Sequence, residues 1–168
     1  MQQLAQLVVH AALARNATLA LAESCTGGRV AAEICGVNGA SKMFLGGVVA
    51  YSNELKENLL GVSREVLEQF GAVSAETAHD MALGARRVSE ATWGIGVTGI
   101  AGPTGATHTK PVGRVYIALA NHENKVSVER FNFTGTRHAV QAQATEAALH
   151  LFLAALTALS REFLPALK

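Results

Sequence analysis

The chain has 168 residues, 49% hydrophobic and 5% aromatic, with 14 Lys and Arg against 13 Asp and Glu for a formal net charge of +1. That length fits one domain and that apolar fraction is enough to fill its core. The near balance of charge, with no basic run, excludes polyanion binding as the main task, because no cationic excess is present to release counterions.

Two cysteines, Cys25 and Cys35, are too few for a disulfide framework or a zinc site, and both are expected to stay reduced in a cytosolic setting. The N-terminal Met1-Gln2-Gln3-Leu4 lacks the basic start and apolar core of a secretory signal. No apolar run is long enough to span a bilayer. A soluble, cytoplasmic protein is expected, with no membrane partner and no direct contact with nucleic acid.

Leu4, Leu7, Val8, Ala11 and Ala12 recur at helical spacing and predict an amphipathic helix over residues 2–15, stopped near Asn16. The run Thr18-Leu19-Ala20-Leu21-Ala22 reads as a buried strand, and a helix is predicted over residues 26–35. Val48 to Tyr51 reads as a second buried strand, and Ser52 or Asn53 caps a helix from Glu54 to Leu60. Further helices are predicted from Ser63 to Gly71 and from Ser74 to about Val88. Thr92 to Val97 reads as a strand that runs into a glycine loop, Thr98 to Gly105. Val112 to Ala120 and Val126 to Phe133 read as a hairpin about Asn121-His122-Glu123-Asn124, and a last helix is predicted from about Thr136 to Phe163. Its apolar stripe of Ala148, Leu149, Phe152, Leu153 and Leu156 is either core or a subunit contact. Strands alternating with helices, then a hairpin and a helix, predict a three-layer α/β/α sandwich with a mixed, mostly parallel sheet. No repeat, low-complexity tract or linker divides residues 1–168.

The corner between the first strand and the second helix, Ala22-Glu23-Ser24-Cys25-Thr26-Gly27-Gly28, carries the chemistry. A helix start offers unpaired N–H groups and the positive end of a dipole. Ser24 there is a nucleophile if a base takes its proton, and otherwise a helix cap. None of the six histidines has a motif context that links it to Ser24. Lys56 follows the second strand, and strand ends collect at one sheet edge. Held neutral by burial it is a base, and exposed it is an ordinary surface lysine. Cys25 is a second nucleophile candidate by its place at a helix start, although buried, inert thiols are the expectation for Cys25 and still more for Cys35.

Gly94-Ile95-Gly96-Val97-Thr98-Gly99 matches G-x-G-x-x-G, but Gly102, Pro103 and Gly105 break the helix that the motif should open. A dinucleotide fold of the Rossmann type is excluded, as is a P-loop. Gly99 and Gly102 still allow a ligand close to the backbone, with Thr98 offering a hydroxyl. Arg137, beside a helix start, could hold a phosphate through charge and fork geometry, although taken alone a surface arginine is the expectation.

Five segments, Ala22 to Gly28, Val49 to Lys56, Gly71 to Ser74, Thr98 to Pro103 and Lys110 to Gly113, resemble in order and spacing the CinA C-terminal domain family of competence/damage-inducible proteins. No one segment is specific; the five together are, and they cover nearly the whole chain. Stand-alone members of that family include nicotinamide mononucleotide amidohydrolases. The resemblance implies hydrolysis of the carboxamide of nicotinamide mononucleotide to nicotinate mononucleotide and ammonia, with no metal or cofactor. It implies Ser24 as nucleophile, Lys56 as its base, Tyr51 as a neighbour that orients or relays a proton, and Thr98 to Pro103 as the substrate loop. Within that reading Thr26, Gly27 and Gly28 present N–H groups to the oxyanion, Thr98, Gly99 and Gly102 line the substrate, and Arg137 holds its phosphate.

The chain departs from the family pattern at Thr136, where an Asp is usual, and at Gln141, where a second Arg is usual. Both departures are expected to touch the phosphate end. The sequence is without the larger N-terminal domain of full-length CinA proteins and so reads as a stand-alone enzyme or an excised domain; from its start at Met1 the stand-alone enzyme is expected, as a homodimer or higher oligomer. The alternatives are a non-catalytic module that binds nucleotides or a competence partner, and an amidase of another small amide.

Overall fold

The structure, a computed structural model, describes residues 1–158. The strand β1 (Leu19–Glu23) is buried at all five positions, as a central strand covered on both faces must be. It pairs in parallel with β2 (Phe44–Val49) on one side and β3 (Trp93–Gly99) on the other. Beyond β3, β4 (Arg114–Ala120) and β5 (Val126–Asn132) run antiparallel, giving the order β2-β1-β3-β4-β5. The sheet is mixed and mostly parallel in direction: β4 alone runs against the other four strands. Parallel neighbours need a crossover helix, and none separates β3, β4 and β5.

Helices α1 (Gln2–Leu13), α2 (Arg29–Cys35) and α6 (Arg137–Ala158) pack on the face that carries Leu19, Leu21, Ile95, Val97 and Ile117. The stripe Ala148, Leu149, Phe152 and Leu156 is fully buried there, and Phe152 meets Trp93 edge-on at 5.6 Å. It is core; burying Phe152 alone contributes about 1.5–3 kcal/mol. Helices α3 (Asn53–Leu60), α4 (Arg64–Phe70) and α5 (Ala75–Ser89) cover the other face. That face is smooth: Ala20, Ala22, Gly94, Gly96, Ala118 and Ala120 let α5 settle close to the strands.

Several boundaries differ from the sequence-based expectation. α2 opens at Arg29 rather than Thr26, because Gly27 and Gly28 hold φ of 64° and 91°, outside the helical region. β2 ends at Val49, and its residues alternate between half-buried and exposed because it is an edge strand and not a buried one. The chain leaves the sheet at Ala50, whose N–H donates to the Glu23 carbonyl at 2.8 Å. Cys35 is exposed, since Val30 and Ile34 take the inward face of α2. The last helix is described as far as Ala158, and the stretch of its prediction up to Phe163 lies outside the described residues.

From β1 the chain crosses to β2 by α2 on one face, and it returns to β3 by α3 to α5 on the other. The strand order therefore reverses at β1, between β2 and β3, the usual place for a site in such sheets.

Candidate active site

Ser24 is the first residue after β1. Its N–H donates to the Val97 carbonyl at 2.9 Å, which ties the corner to β3. A tight turn follows, with Gly27 N–H donating to the Ser24 carbonyl at 3.1 Å. The helix start beyond it is not free to take a ligand. Glu23, a buried carboxylate at the end of β1, accepts from the N–H groups of Gly28 (2.9 Å), Val30 (3.2 Å) and Ala31 (2.8 Å). An acid at the end of an apolar strand fills the anion position that the dipole of α2 creates.

Lys56 reaches the same corner from α3. Ser52 caps that helix by accepting from the Leu55 N–H at 3.2 Å, which sets the first turn and directs Lys56 inward. Lys56 is only 1% exposed, a rare burial for a lysine. Its Nζ lies 3.3 Å from Ser24 Oγ, 2.8 Å from the Ala50 carbonyl oxygen and 3.4 Å from that of Tyr51. No carboxylate pairs with it among the described residues. Burial therefore lowers its pKa from the ordinary 10.5, and nearby Cys25 opposes that only in part. As a neutral amine it has two N–H bonds, enough for the two carbonyls, and one lone pair left to accept from the Ser24 hydroxyl.

A crevice of about 320 Å³ opens over this pair, lined by Ser24, Cys25, Tyr51, Lys56, Ala72 and Val73, by Thr98 to Gly102, and by Thr104, Gly105 and Arg137. That volume is at the small end of ligand sites, which run from about 300 to 1,000 Å³. No histidine lines it. Arg137 spans its mouth, donating to the Gly102 carbonyl at 2.9 Å and to the Tyr51 hydroxyl at 2.8 Å.

The crevice thus brings together Ser24, Lys56, Tyr51, Thr98, Gly99, Gly102 and Arg137. It does not include Thr26, Gly27 or Gly28. The Gly27 and Gly28 N–H groups are consumed by the turn and by Glu23. Thr98 lines the wall, but its hydroxyl donates to the Ala72 carbonyl at 2.6 Å and so holds the Gly71–Ser74 loop in place. Tyr51 is exposed at the rim, and its hydroxyl meets Arg137 rather than Ser24 or Lys56. The Cys25 thiol is buried, and that burial pushes its pKa up to about 12, so it is no nucleophile near neutral pH.

Two contacts lie outside what the motifs indicate. The motifs assign Glu23 no role; the signal that marks it is a carboxylate closing an otherwise apolar strand. Gln141, expected at the phosphate end, is instead buried behind the serine turn, where its Nε2 donates to the Cys25 carbonyl at 2.8 Å. No sequence signal pairs residues so far apart.

Fold and site together define a three-layer α/β domain with a serine–lysine pair at the switch point of its sheet. The model of the CinA C-terminal domain matches residues 1–156. A CinA-like protein of Anaeromyxobacter sp. (strain Fw109-5) is 49% identical over 155 residues, 92% of this chain and 38% of that protein. A putative competence-damage inducible protein of Thermoanaerobacter pseudethanolicus is 46% identical over 150 residues, 89% of this chain and 36% of that protein. Among solved structures, a competence-damaged protein (CinA) superfamily protein from Klebsiella pneumoniae superposes with a TM-score of 0.90 at 35% identity, over 93% of this chain and 97% of that one. A competence/damage inducible protein from Agrobacterium tumefaciens gives 0.89 at 36% identity, over 93% and 94%. The chain belongs to the CinA C-terminal domain family. It spans less than two fifths of the length of these curated relatives.

Proposed function

We propose that the protein is an amidohydrolase that converts nicotinamide mononucleotide and water to nicotinate mononucleotide and ammonia. The observation that carries this reading is the approach of Lys56 Nζ to within 3.3 Å of Ser24 Oγ, with the lysine buried, unpaired by any described carboxylate and lowered in pKa. An amine in that state gives up its proton more readily than an exposed lysine and so is suited to act as a base.

Neutral Lys56 removes the Ser24 proton as Oγ attacks the carboxamide carbon. The C=O bond opens to an oxyanion, which needs N–H donors close to Ser24. The Cys25 N–H suits that role: Cys25 lines the crevice, and its N–H has no partner in another described residue, meeting only the Cys25 thiol. Collapse of the intermediate breaks the C–N bond, and the Lys56 ammonium gives its proton to the departing ammonia. A water, deprotonated by the now neutral Lys56, cleaves the acyl-enzyme and restores Ser24. Arg137 uses two of its five N–H groups within the protein, which leaves three for the substrate phosphate. Tyr51 orients that guanidinium at the mouth of the crevice.

The test is ammonia release from nicotinamide mononucleotide by the wild type and by Ser24→Ala and Lys56→Ala. Loss of about a thousandfold or more in kcat/KM is expected in each. Turnover that survives both substitutions removes Ser24 and Lys56 from the reaction, and a wild type that binds the nucleotide without releasing ammonia makes the domain a binding module. Arg137→Ala is expected to raise KM by about ten- to a hundredfold, as the loss of a charged hydrogen bond of about 1.5–3 kcal/mol requires. Nicotinamide riboside, which lacks the phosphate, should show no such effect; an equal effect on both substrates would point to a different amide as the true substrate.

A further inference from the structure

The two peptide units that flank Cys25 are each anchored by their carbonyl. That of Ser24 accepts from the Gly27 N–H within the turn, and that of Cys25 accepts from Gln141 Nε2 of α6. A trans peptide is planar, with its N–H directed opposite to its C=O. The Ser24 anchor sets the direction of the Cys25 N–H, and the Gln141 anchor holds the following Cys25–Thr26 plane, so that Cys25 is restrained from both sides. The anchor is itself well held: Gln141 is 8% exposed, and its own carbonyl accepts from Thr145 Oγ1 at 2.8 Å. Arg137 lies one turn earlier on the same helix face, so a single rigid element carries both the cation at the mouth of the crevice and the support behind the nucleophile.

We propose that Gln141 is a positioning residue of the hydrolytic site: by holding the Cys25–Thr26 peptide it braces the turn behind Ser24, on which both the nucleophile and the Cys25 N–H offered to the oxyanion stand. This rests on the serine–lysine reading above. Gln141 touches neither substrate nor Ser24 Oγ, and its effect passes through the backbone of Cys25. The interaction it supports exists only once negative charge develops, so its loss lowers kcat and leaves KM in place.

The experiment measures the rate constant at which a fluorophosphonate labels Ser24, alongside kcat and KM for ammonia release, in the wild type, Gln141→Glu, Gln141→Met and Gln141→Arg. The phosphonate adds to Ser24 through the same oxyanion and needs no assumption about the natural substrate. Glu is nearly isosteric but presents no amide donor, Met removes the polar group, and Arg restores an N–H donor. A fall of about ten- to a hundredfold in labelling rate and kcat is expected for Glu and Met, with KM within twofold and an unchanged acid limb of the pH profile. Recovery to within a fewfold is expected for Arg. Rates are taken per folded molecule, with melting temperature measured in parallel, so simple destabilisation does not imitate the effect. Labelling within twofold of wild type in folded Glu and Met variants overturns the proposal while leaving the serine–lysine pair intact. A wild type that labels but releases no ammonia, with slowed variants, upholds the proposal and removes the assigned substrate. A wild type that neither labels nor releases ammonia overturns both.

Discussion

At the scale of single residues, the site depends on how differently burial acts on neighbouring groups. Lys56 and Cys25 are both enclosed, and burial penalises the charged form of each. For the lysine that favours the free base, and for the thiol it opposes formation of the nucleophile. On the acid side kcat/KM is therefore expected to rise with pH, about tenfold per unit, until pH passes the lowered pKa of Lys56 and then to level off below 10.5. A rate profile with no acid limb would contradict Lys56 as the base. Lys56→Arg, which keeps the charge but cannot give up its proton, is expected to be as inactive as Lys56→Ala. The cysteines should divide the same way: at mildly alkaline pH iodoacetamide is expected to modify exposed Cys35 and spare Cys25 in the native protein, which peptide mapping would show.

At the scale of elements, two features of the chain hold the corner rigid. Glu23 satisfies three N–H groups at the start of α2 while itself buried. Glu23→Ala leaves those donors unpaired and is expected to cost about 1–3 kcal/mol in urea unfolding. The second feature is the close fit of α5 between α3 and the sheet. A Cβ at Gly84 would stand 2.1 Å from the Leu60 carbonyl oxygen, and one at Gly96 would stand 2.4 Å from that of Ala78. Both obstacles are backbone, so Gly84→Ala and Gly96→Ala are expected to destabilise by about 1–3 kcal/mol or more despite the better helix propensity of alanine at position 84. The element types were legible in the chain, because their periodicities and caps are local. The register of α2 was legible only to within a turn, since glycine permits but does not require a positive φ. The edge position of β2 was not legible, because Val48, Val49 and Ala50 are as apolar as a central strand and only the strand order leaves one side open.

At the scale of the whole molecule, the buried lysine links activity to stability. Between the lowered pKa of Lys56 and 10.5 the unfolded chain binds a proton that the folded chain does not. In that window the contribution of this group makes stability rise with pH by about 1.4 kcal/mol per unit; below the window the cost of the buried ammonium is present in full. Lys56→Met is expected to remove that slope from unfolding midpoints measured across alkaline pH, and an unchanged slope would mean that the lysine is not depressed in the folded state. No described helix is long and apolar enough to cross a membrane. The sheet order, with crossovers on opposite faces, puts the ends of β1 and β3 at one crevice, and it gathers Ser24, Lys56, Thr98 and Arg137 from four separate elements.

By itself the sequence determined the alternation of strands and helices, the buried first strand, the serine at its end and the helix that carries Lys56. These follow from periodicity, capping and turn chemistry within a few residues of each position. The tertiary structure decided whether Ser24 was a cap or faced a base, whether Lys56 was solvated or enclosed, and which side of the serine Gln141 served. Each of those depends on desolvation and on contacts between residues distant in the chain, which no local pattern encodes. The corner from Glu23 to Gly28 shows the division: its residues marked it as a helix start that attracts charge, and only the fold revealed that its own glutamate occupies that start.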